Sequence, residues 1–359
     1  MNSNRTTRAR MDDAPVRPQG EGLLRLDGNE GPAPPAELSR SLVALDPEDL
    51  RRYPDKSELE ARLAELHGVD PEQVLVTTGG DGTIAAFAAA FVVPGRRFVH
   101  TAPTFAMIPA CAELLGAALF PVEWSAGAFP RDPFAEAAAE PGAVAALVTP
   151  NNPTGGEAGI DDVLAVADAC APDPLLLDLA YVEFGANDPT AAALGRSNVV
   201  VLRTLSKALG LAGLRVGYAL GPRDLIAAIR AVAPPYPCSS PALILARAAI
   251  DLELPTESAI RRIRAERERL RARLIAAGID APPSGGNFVG VRTPRATELF
   301  EALRARGVLV RRFEGRADLA DLLRISVPVD DPGSARLAAA LDSALGELSG
   351  ARAGLEARS

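Results

Sequence analysis

The sequence predicts an α/β protein, with one large, mostly parallel sheet covered by helices on both faces and a smaller α+β domain. Three observations carry this. From Arg51 onward, short branched or leucine-rich runs alternate with alanine-rich helical stretches, as parallel strands alternate with crossover helices. After Pro282 that rhythm changes, with fewer strands at shorter spacings. Finally, 359 residues of which 48% are hydrophobic suffice for two cores, since domains commonly hold about 100–200 residues.

Taken in order, residues 1–22 are polar and bear arginine and proline, and read as a flexible N-terminal arm. Residues 23–50 with 282–359 are expected to form the smaller domain, and 51–281 the larger. Within the larger, 74–77, 97–101, 145–148, 175–178 and 199–202 read as strands. Each is an apolar run bounded by Gly, Pro or polar residues. Helices are expected at 83–91 and 160–169, and the Arg-, Glu- and Leu-rich stretch 257–277 is the longest. Strands at 287–291, 308–311 and 322–327, with helices at 296–306 and 332–348, complete the smaller domain.

Composition removes several function classes. With 46 acidic against 38 basic residues the net charge is −8, and no basic run is interleaved with aromatics, so nucleic acid is not the expected partner. No apolar run approaches the roughly 18 residues of a membrane span. Residues 1–20 lack the apolar stretch of a secretory signal. Cys111, Cys170 and Cys238 are odd in number and dispersed, which fits neither a disulfide framework nor a metal cluster. The expected location is the cytoplasm. Among the basic residues only Lys56 and Lys207 are lysines. An amine can lose its proton and attack a carbonyl, whereas a guanidinium stays charged. Lys56, which opens a helix rich in glutamate, reads as solvated. Lys207 has a different setting.

Lys207 follows a strongly apolar strand, in Thr204-Leu-Ser-Lys-Ala-Leu-Gly-Leu-Ala-Gly-Leu-Arg215. That places it at the carboxyl edge of the sheet, where open α/β folds bind ligands. An amine, two hydroxyls and a guanidinium suit a phosphate-bearing aldehyde, although a surface-loop lysine is the plain alternative. Leu175-Leu-Leu-Asp178-Leu-Ala-Tyr181 brings a carboxylate and a phenol to the same edge, able to meet a pyridine nitrogen and a ring hydroxyl; a helix cap is the alternative. Thr149-Pro-Asn-Asn152-Pro-Thr-Gly155 is a tight turn. Thr77-Thr-Gly-Gly80-Asp81-Gly82-Thr83 leads into a helix whose first N–H groups make an anion cup. It carries neither a Walker lysine nor a dinucleotide fingerprint.

In order and spacing these four segments resemble the fold-type I pyridoxal-phosphate aminotransferases, and among them the histidinol-phosphate aminotransferase group. The resemblance runs from about residue 26 to 348 and includes Asp27-Gly-Asn29-Glu30, Arg52-Tyr53-Pro54, Ala102-Pro-Thr-Phe105, Gly286-Asn-Phe288 and Leu323-Arg324-Ile325. It implies pyridoxal 5'-phosphate as cofactor and Lys207 as the amine that condenses with its aldehyde and shuttles the substrate's Cα proton. Asp178 would face the pyridine nitrogen, Asn152 and Tyr181 the 3-oxygen, and Phe105 the ring face. The phosphate would fall to Gly80, Asp81 and Gly82, with Thr204, Ser206 and Arg215, and to Tyr53 from the other subunit of a homodimer. Asn29, Arg311 and Arg324 would face the substrate, and no metal is implied. The chain departs from the family pattern at Leu179 and Gly82, each in place of Glu, and at Gly31-Pro-Ala-Pro-Pro35, which lacks the usual Asn and aromatic. The resemblance implies ping-pong amino transfer between an amino donor and a 2-oxo acid. A phosphothreonine decarboxylase, an aromatic or specialised-metabolism aminotransferase, and a non-catalytic cofactor-binding module are the alternatives.

Overall fold

The computed structural model describes residues 22–356; apart from Gly22, the expected arm lies outside them. The strands are β1 (Leu24–Leu26), β2 (Val74–Thr78), β3 (Arg97–Ala102), β4 (Ala118–Glu123), β5 (Val144–Val148), β6 (Leu175–Asp178), β7 (Val199–Thr204), β8 (Val216–Leu220), β9 (Phe288–Arg292), β10 (Val308–Arg312) and β11 (Leu322–Ser326). Seven form the large sheet in the order β2-β8-β7-β6-β5-β3-β4, parallel except for β8. Four form the small one in the order β1-β10-β11-β9.

Strands β5, β6 and β7 are buried at every position, so their sequences are continuous apolar runs rather than alternating ones. Along β7, Val199 and Val201 enter one core while Val200 and Leu202 enter the other. Helices Ser57–His67, Ile160–Cys170 and Ser240–Asp251 close the first; Gly79–Phe91, Met107–Leu114 and Arg223–Val232 close the second. A third core lies between the small sheet and helices Glu257–Ala276, Ala296–Ala305 and Asp331–Glu356. A fourth cluster, Tyr181, Phe184, Ala208, Ile260, Ile263, Phe288 and Val327, joins residues of both halves at the site.

The differences from the sequence-based expectation have physical reasons. Strand β4 is a largely exposed edge with Pro121 inside it, and proline argues against a strand except at an edge. Gly217 interrupts the apolar pattern of β8, while three-residue β1 offers no periodicity to read. The helix expected to start at Thr83 begins at Gly79; its glycines are poor helix formers, and tertiary contacts override that preference. Within 23–50, Leu24–Leu26 pairs with β10, whereas Leu38 is buried in the first core of the large sheet. Lys56 is not solvated: its side chain is 16% exposed and its Nζ lies 2.6 Å from Glu60 Oε1. Glu60 also accepts from the Val76 N–H and from Arg230, so an acid within the fold holds that lysine. Among the described residues, no helix is long and apolar enough to cross a membrane.

Candidate active site

The carboxyl ends of β5, β6 and β7 are in register, with Val148 beside Asp178 and Asp178 beside Leu202. The chains that leave these ends carry the candidate chemistry. Asp178 is buried and accepts one hydrogen bond, from the Ala180 N–H at 3.0 Å. Burial pushes its carboxyl up to about 7, and the nearby charge of Asp81 adds to the rise; the Ala180 bond and Lys207 oppose it. A carboxylate with so little solvation calls for a cation brought to it.

The two asparagines of the Asn-Asn-Pro-Thr-Gly turn divide their work. Asn151 is spent on the turn: its Nδ2 donates to Pro103 O and Thr154 Oγ1, and Thr104 Oγ1 donates to its Oδ1. Asn152 instead accepts from Arg324 Nη1 at 2.7 Å, while Arg324 Nη2 donates to Asp27 O at 2.6 Å. Arg324, on β11, is thus aimed at the large sheet by an asparagine and a backbone carbonyl. Lys207 Nζ donates to Gly28 O at 3.1 Å and lies 5.5 Å from the centroid of the Tyr181 ring. The Tyr181 hydroxyl accepts from Asn29 Nδ2 at 3.1 Å. Gly31 lets the 28–32 segment reach the lysine loop, since a Cβ there would lie 1.8 Å from Lys207 O.

A cradle adjoins this cluster. Gly79 has φ +64°, and a Cβ on it would fall 2.8 Å from Arg215 Nη2; only glycine fits the turn. Gly80, Asp81 and Gly82 follow in the first helical turn, whose N–H groups have no intrahelical acceptors. Arg215 Nη2 donates to Asp81 Oδ2 at 2.9 Å, and Thr204 Oγ1 donates to Ser206 Oγ at 3.0 Å. Free N–H groups, two hydroxyls and a guanidinium are the donor set of a phosphate site. With Asp178 a buried acid that has no ion-pair partner among the described residues, the residues present fit a phosphorylated pyridine.

Lys207, Tyr181, Asn152, Asn29 and Arg324 are therefore linked through residues 27–29, and Asp178 is near enough to feel the charge of Lys207. Phe105 is half-buried against the second core at the start of helix Met107–Leu114. Tyr53 stands apart at the surface, 79% exposed and stacked on Tyr236 with ring centroids 4.4 Å apart. Arg311 pairs in register with Arg324 across β10 and β11. Sequence reasoning passed over Ser326, the backbone carbonyls of Asp27 and Gly28, and the role of Asn287, whose Nδ2 donates to the carbonyls of Asn29 and Glu30. Backbone acceptors leave no trace in residue type; Asn287 at least stood within a recognisable Gly-Asn-Phe.

A large, mostly parallel sheet with a lysine at one strand end, an acid at the next and a glycine-turn phosphate cradle defines the pyridoxal-phosphate-dependent enzymes of fold type I. The chain belongs to the aminotransferase class I and II family, whose family model matches residues 20–341. Histidinol-phosphate aminotransferase of Roseiflexus castenholzii is 36% identical over 328 residues, covering 86% of each chain. That of Chromohalobacter salexigens is 34% identical over 323 residues, 87% of this chain and 90% of its own. The crystal structure of histidinol-phosphate aminotransferase from Sinorhizobium meliloti in complex with pyridoxal-5'-phosphate superposes with a TM-score of 0.82 at 26% identity, covering 91% of both chains. The protein is a pyridoxal-phosphate-dependent aminotransferase.

Proposed function

We propose that this aminotransferase moves an amino group between an amine bearing a second oxyanion and a 2-oxo acid such as 2-oxoglutarate. Histidinol phosphate is the amine that its relatives' names suggest. The register of the small sheet carries the reading. Arg311 and Arg324 are directly opposed on antiparallel strands, so both side chains leave the same face. The Phe313 ring lies 5.5 Å from the Arg311 guanidinium carbon and 5.9 Å from that of Arg324. Two guanidiniums on one face suit a substrate with two anionic groups, each able to accept a forked pair of hydrogen bonds.

Bound pyridoxal phosphate supplies an electron sink for the substrate's Cα. The chain's own residues do the rest. Lys207 takes and returns the Cα proton, and ionised Asp178 holds a proton on the ring nitrogen. Asn152 and Tyr181 would hydrogen-bond the 3-oxygen, and Phe105 would lie against the ring. Thr204, Ser206, Arg215 and the first-turn N–H groups of Gly80, Asp81 and Gly82 bind the phosphate. Arg324 clamps one substrate oxyanion and Arg311 the other, with Asn29 beside them. In this reading the strands of the small sheet and residues 51–281 act as two domains that meet at the fourth apolar cluster.

The working unit in this reading is a homodimer, with Tyr53 reaching the partner's phosphate site. Exposed Val43, Leu50, Tyr53 and Tyr236 support this, as large apolar groups left in water. The three cysteines are free, buried thiols, which supports a reducing, cytoplasmic setting. The test is a single-turnover reaction of the loaded enzyme with histidinol phosphate, histidinol and phosphothreonine, followed by cofactor absorbance and product analysis. The phosphorylated amine should exceed its unphosphorylated form by about one to two decades in kcat/KM, and Arg311→Ala should erase that preference. Equal rates for both amines overturn the reading. Carbon dioxide from phosphothreonine, with no keto product, replaces it with a decarboxylase.

A further inference from the structure

Ser326 is a buried hydroxyl on β11, two residues beyond Arg324. Its oxygen accepts the backbone N–H of Asn29 at 3.0 Å. A hydroxyl has a single proton to give, and that proton goes to Asn29 Oδ1 at 2.7 Å. The amide is thereby oriented, with its Nδ2 facing the Tyr181 hydroxyl at 3.1 Å. The phenol oxygen receives a proton from this side, so its own proton is free to donate elsewhere. If the amide turned over, Oδ1 would take the Tyr181 proton and the Ser326 proton would lose its acceptor. The backbone is committed too. Asn29 has φ +53°, a left-handed conformation that asparagine tolerates better than most residues, and Asn287 Nδ2 fixes its carbonyl.

We propose that Ser326 and Asn29 form a polarity relay that holds Tyr181 as a hydrogen-bond donor to the cofactor's 3-oxygen. Ser326 and Asn29 are positioning residues in this scheme, acting through the phenol. The inference rests on the reading above that Tyr181 meets the 3-oxygen. It also gives β11 two links to that oxygen: Arg324 through Asn152, and Ser326 through Asn29 and Tyr181. A shift of this strand when an oxyanion reaches Arg324 would act on both links.

The experiment is a pH titration of bound-cofactor absorbance in the loaded enzyme, with cofactor content and thermal unfolding recorded for each variant. A donor on the 3-oxygen stabilises its anion and so favours the unprotonated chromophore. Losing that donor should raise the midpoint by about one to two units in Tyr181→Phe, the equivalent of one hydrogen bond to a charged group. Ser326→Ala should raise it by a smaller amount, since the amide is then free to adopt either orientation. Ser326→Thr, which keeps the hydroxyl, should restore the parent midpoint. In the Tyr181→Phe background, Ser326→Ala should add no further shift, because its effect runs through the phenol. Asn29→Asp is the second variant: it keeps shape and left-handed tolerance but removes the amide donor, and should raise the midpoint in the Tyr181 protein more than in the Tyr181→Phe background. If Tyr181→Phe leaves the midpoint in place, the Tyr181 reading fails. If Tyr181→Phe moves it while Ser326→Ala and Asn29→Asp do not, or these shift both backgrounds equally, the relay fails and the reading stands.

Discussion

Asp178 and Arg203 are buried charged side chains at the ends of neighbouring strands, and the sheet holds them on opposite faces. Asp178 is level with Leu202, so Arg203, one residue on, points to the other side. There the guanidinium donates to Glu183 at 2.8 Å, Asp188 at 3.3 Å and Thr190 Oγ1 at 2.9 Å. Burial alone would lower its pKa, but Glu183, Tyr218 and Asp188 more than offset this, and the net shift is upward. Asp178 has no such counter-ion among the described residues, and its carboxyl is driven to about 7. One face is an ion-pair network at the base of the lysine loop, with both Nη atoms of Arg203 partnered. The other holds a buried carboxyl with no ion-pair partner among the described residues, and it is the face to which we assign the site.

The largest effect should come from the lysine. Lys207→Arg keeps the positive charge but provides no nucleophile, since a guanidinium has a pKa above about 12. Turnover should vanish, and borohydride should fix no cofactor to the chain; a reduced adduct found on Lys56 would move the active site elsewhere. Next, variants of the paired charges should cross over. Asp178→Asn should lose about two decades or more of turnover, comparable with deleting a preorganised electrostatic group, while the cofactor-free protein unfolds no more readily than the parent. Arg203→Met should do the reverse. Unpairing Glu183 should cost about 3 kcal/mol in urea unfolding, the low end for a broken buried pair because Asp188 is half exposed, with turnover changed only a few-fold. If Arg203→Met proves the more damaging to turnover, the two faces are not separable.

A smaller effect lies in the pH dependence of stability. Asp178 keeps its proton to about pH 7 when folded but only to its ordinary 3.8 when unfolded. Between those values the native state binds the extra proton, so this group makes stability fall as pH rises. His67, bonded through Nε2 to the Tyr218 hydroxyl beneath Arg203, is the mirror case. Burial, with the charge of Arg203, lowers it from 6.5 to about 4, so this group makes stability rise through that window. In the cofactor-free protein the two slopes oppose one another from about pH 4 to 6.5. Asp178→Asn should leave a steeper upward slope, by at most about 1.4 kcal/mol per pH unit, and His67→Gln a downward one. Urea unfolding across this range measures both; an unchanged slope in Asp178→Asn would mean that its carboxyl titrates like a solvated one.

Legibility differed between the same two faces. Lys207, Asp178, Asn152 and Arg215 stood out because each lies in a short motif next to an apolar run, and Lys207 also because lysine is scarce. Arg203 did not stand out, although it precedes Thr204: among 38 basic residues, nearly all arginine, one more at a strand end carries no signal. Ser326 was silent for the same reason, being an ordinary hydroxyl whose meaning depends on a partner 297 positions away. Lys56 misled, because its helix reads as solvated while Glu60 within it is turned inward towards Val76 and Arg230.

By itself the sequence determined the class of fold and the strands buried on both sides, and it singled out Lys207 as the candidate for chemistry. Those properties rest on local periodicity and on the few residue types a phosphorylated aldehyde demands. Only the tertiary structure decided which buried charge is balanced and which is left open, which way the Asn29 amide points, and that Arg311 and Arg324 share a face. Each of these is a matter of register and hydrogen-bond direction between segments far apart in the chain, and neither is written in the identity of the residues alone.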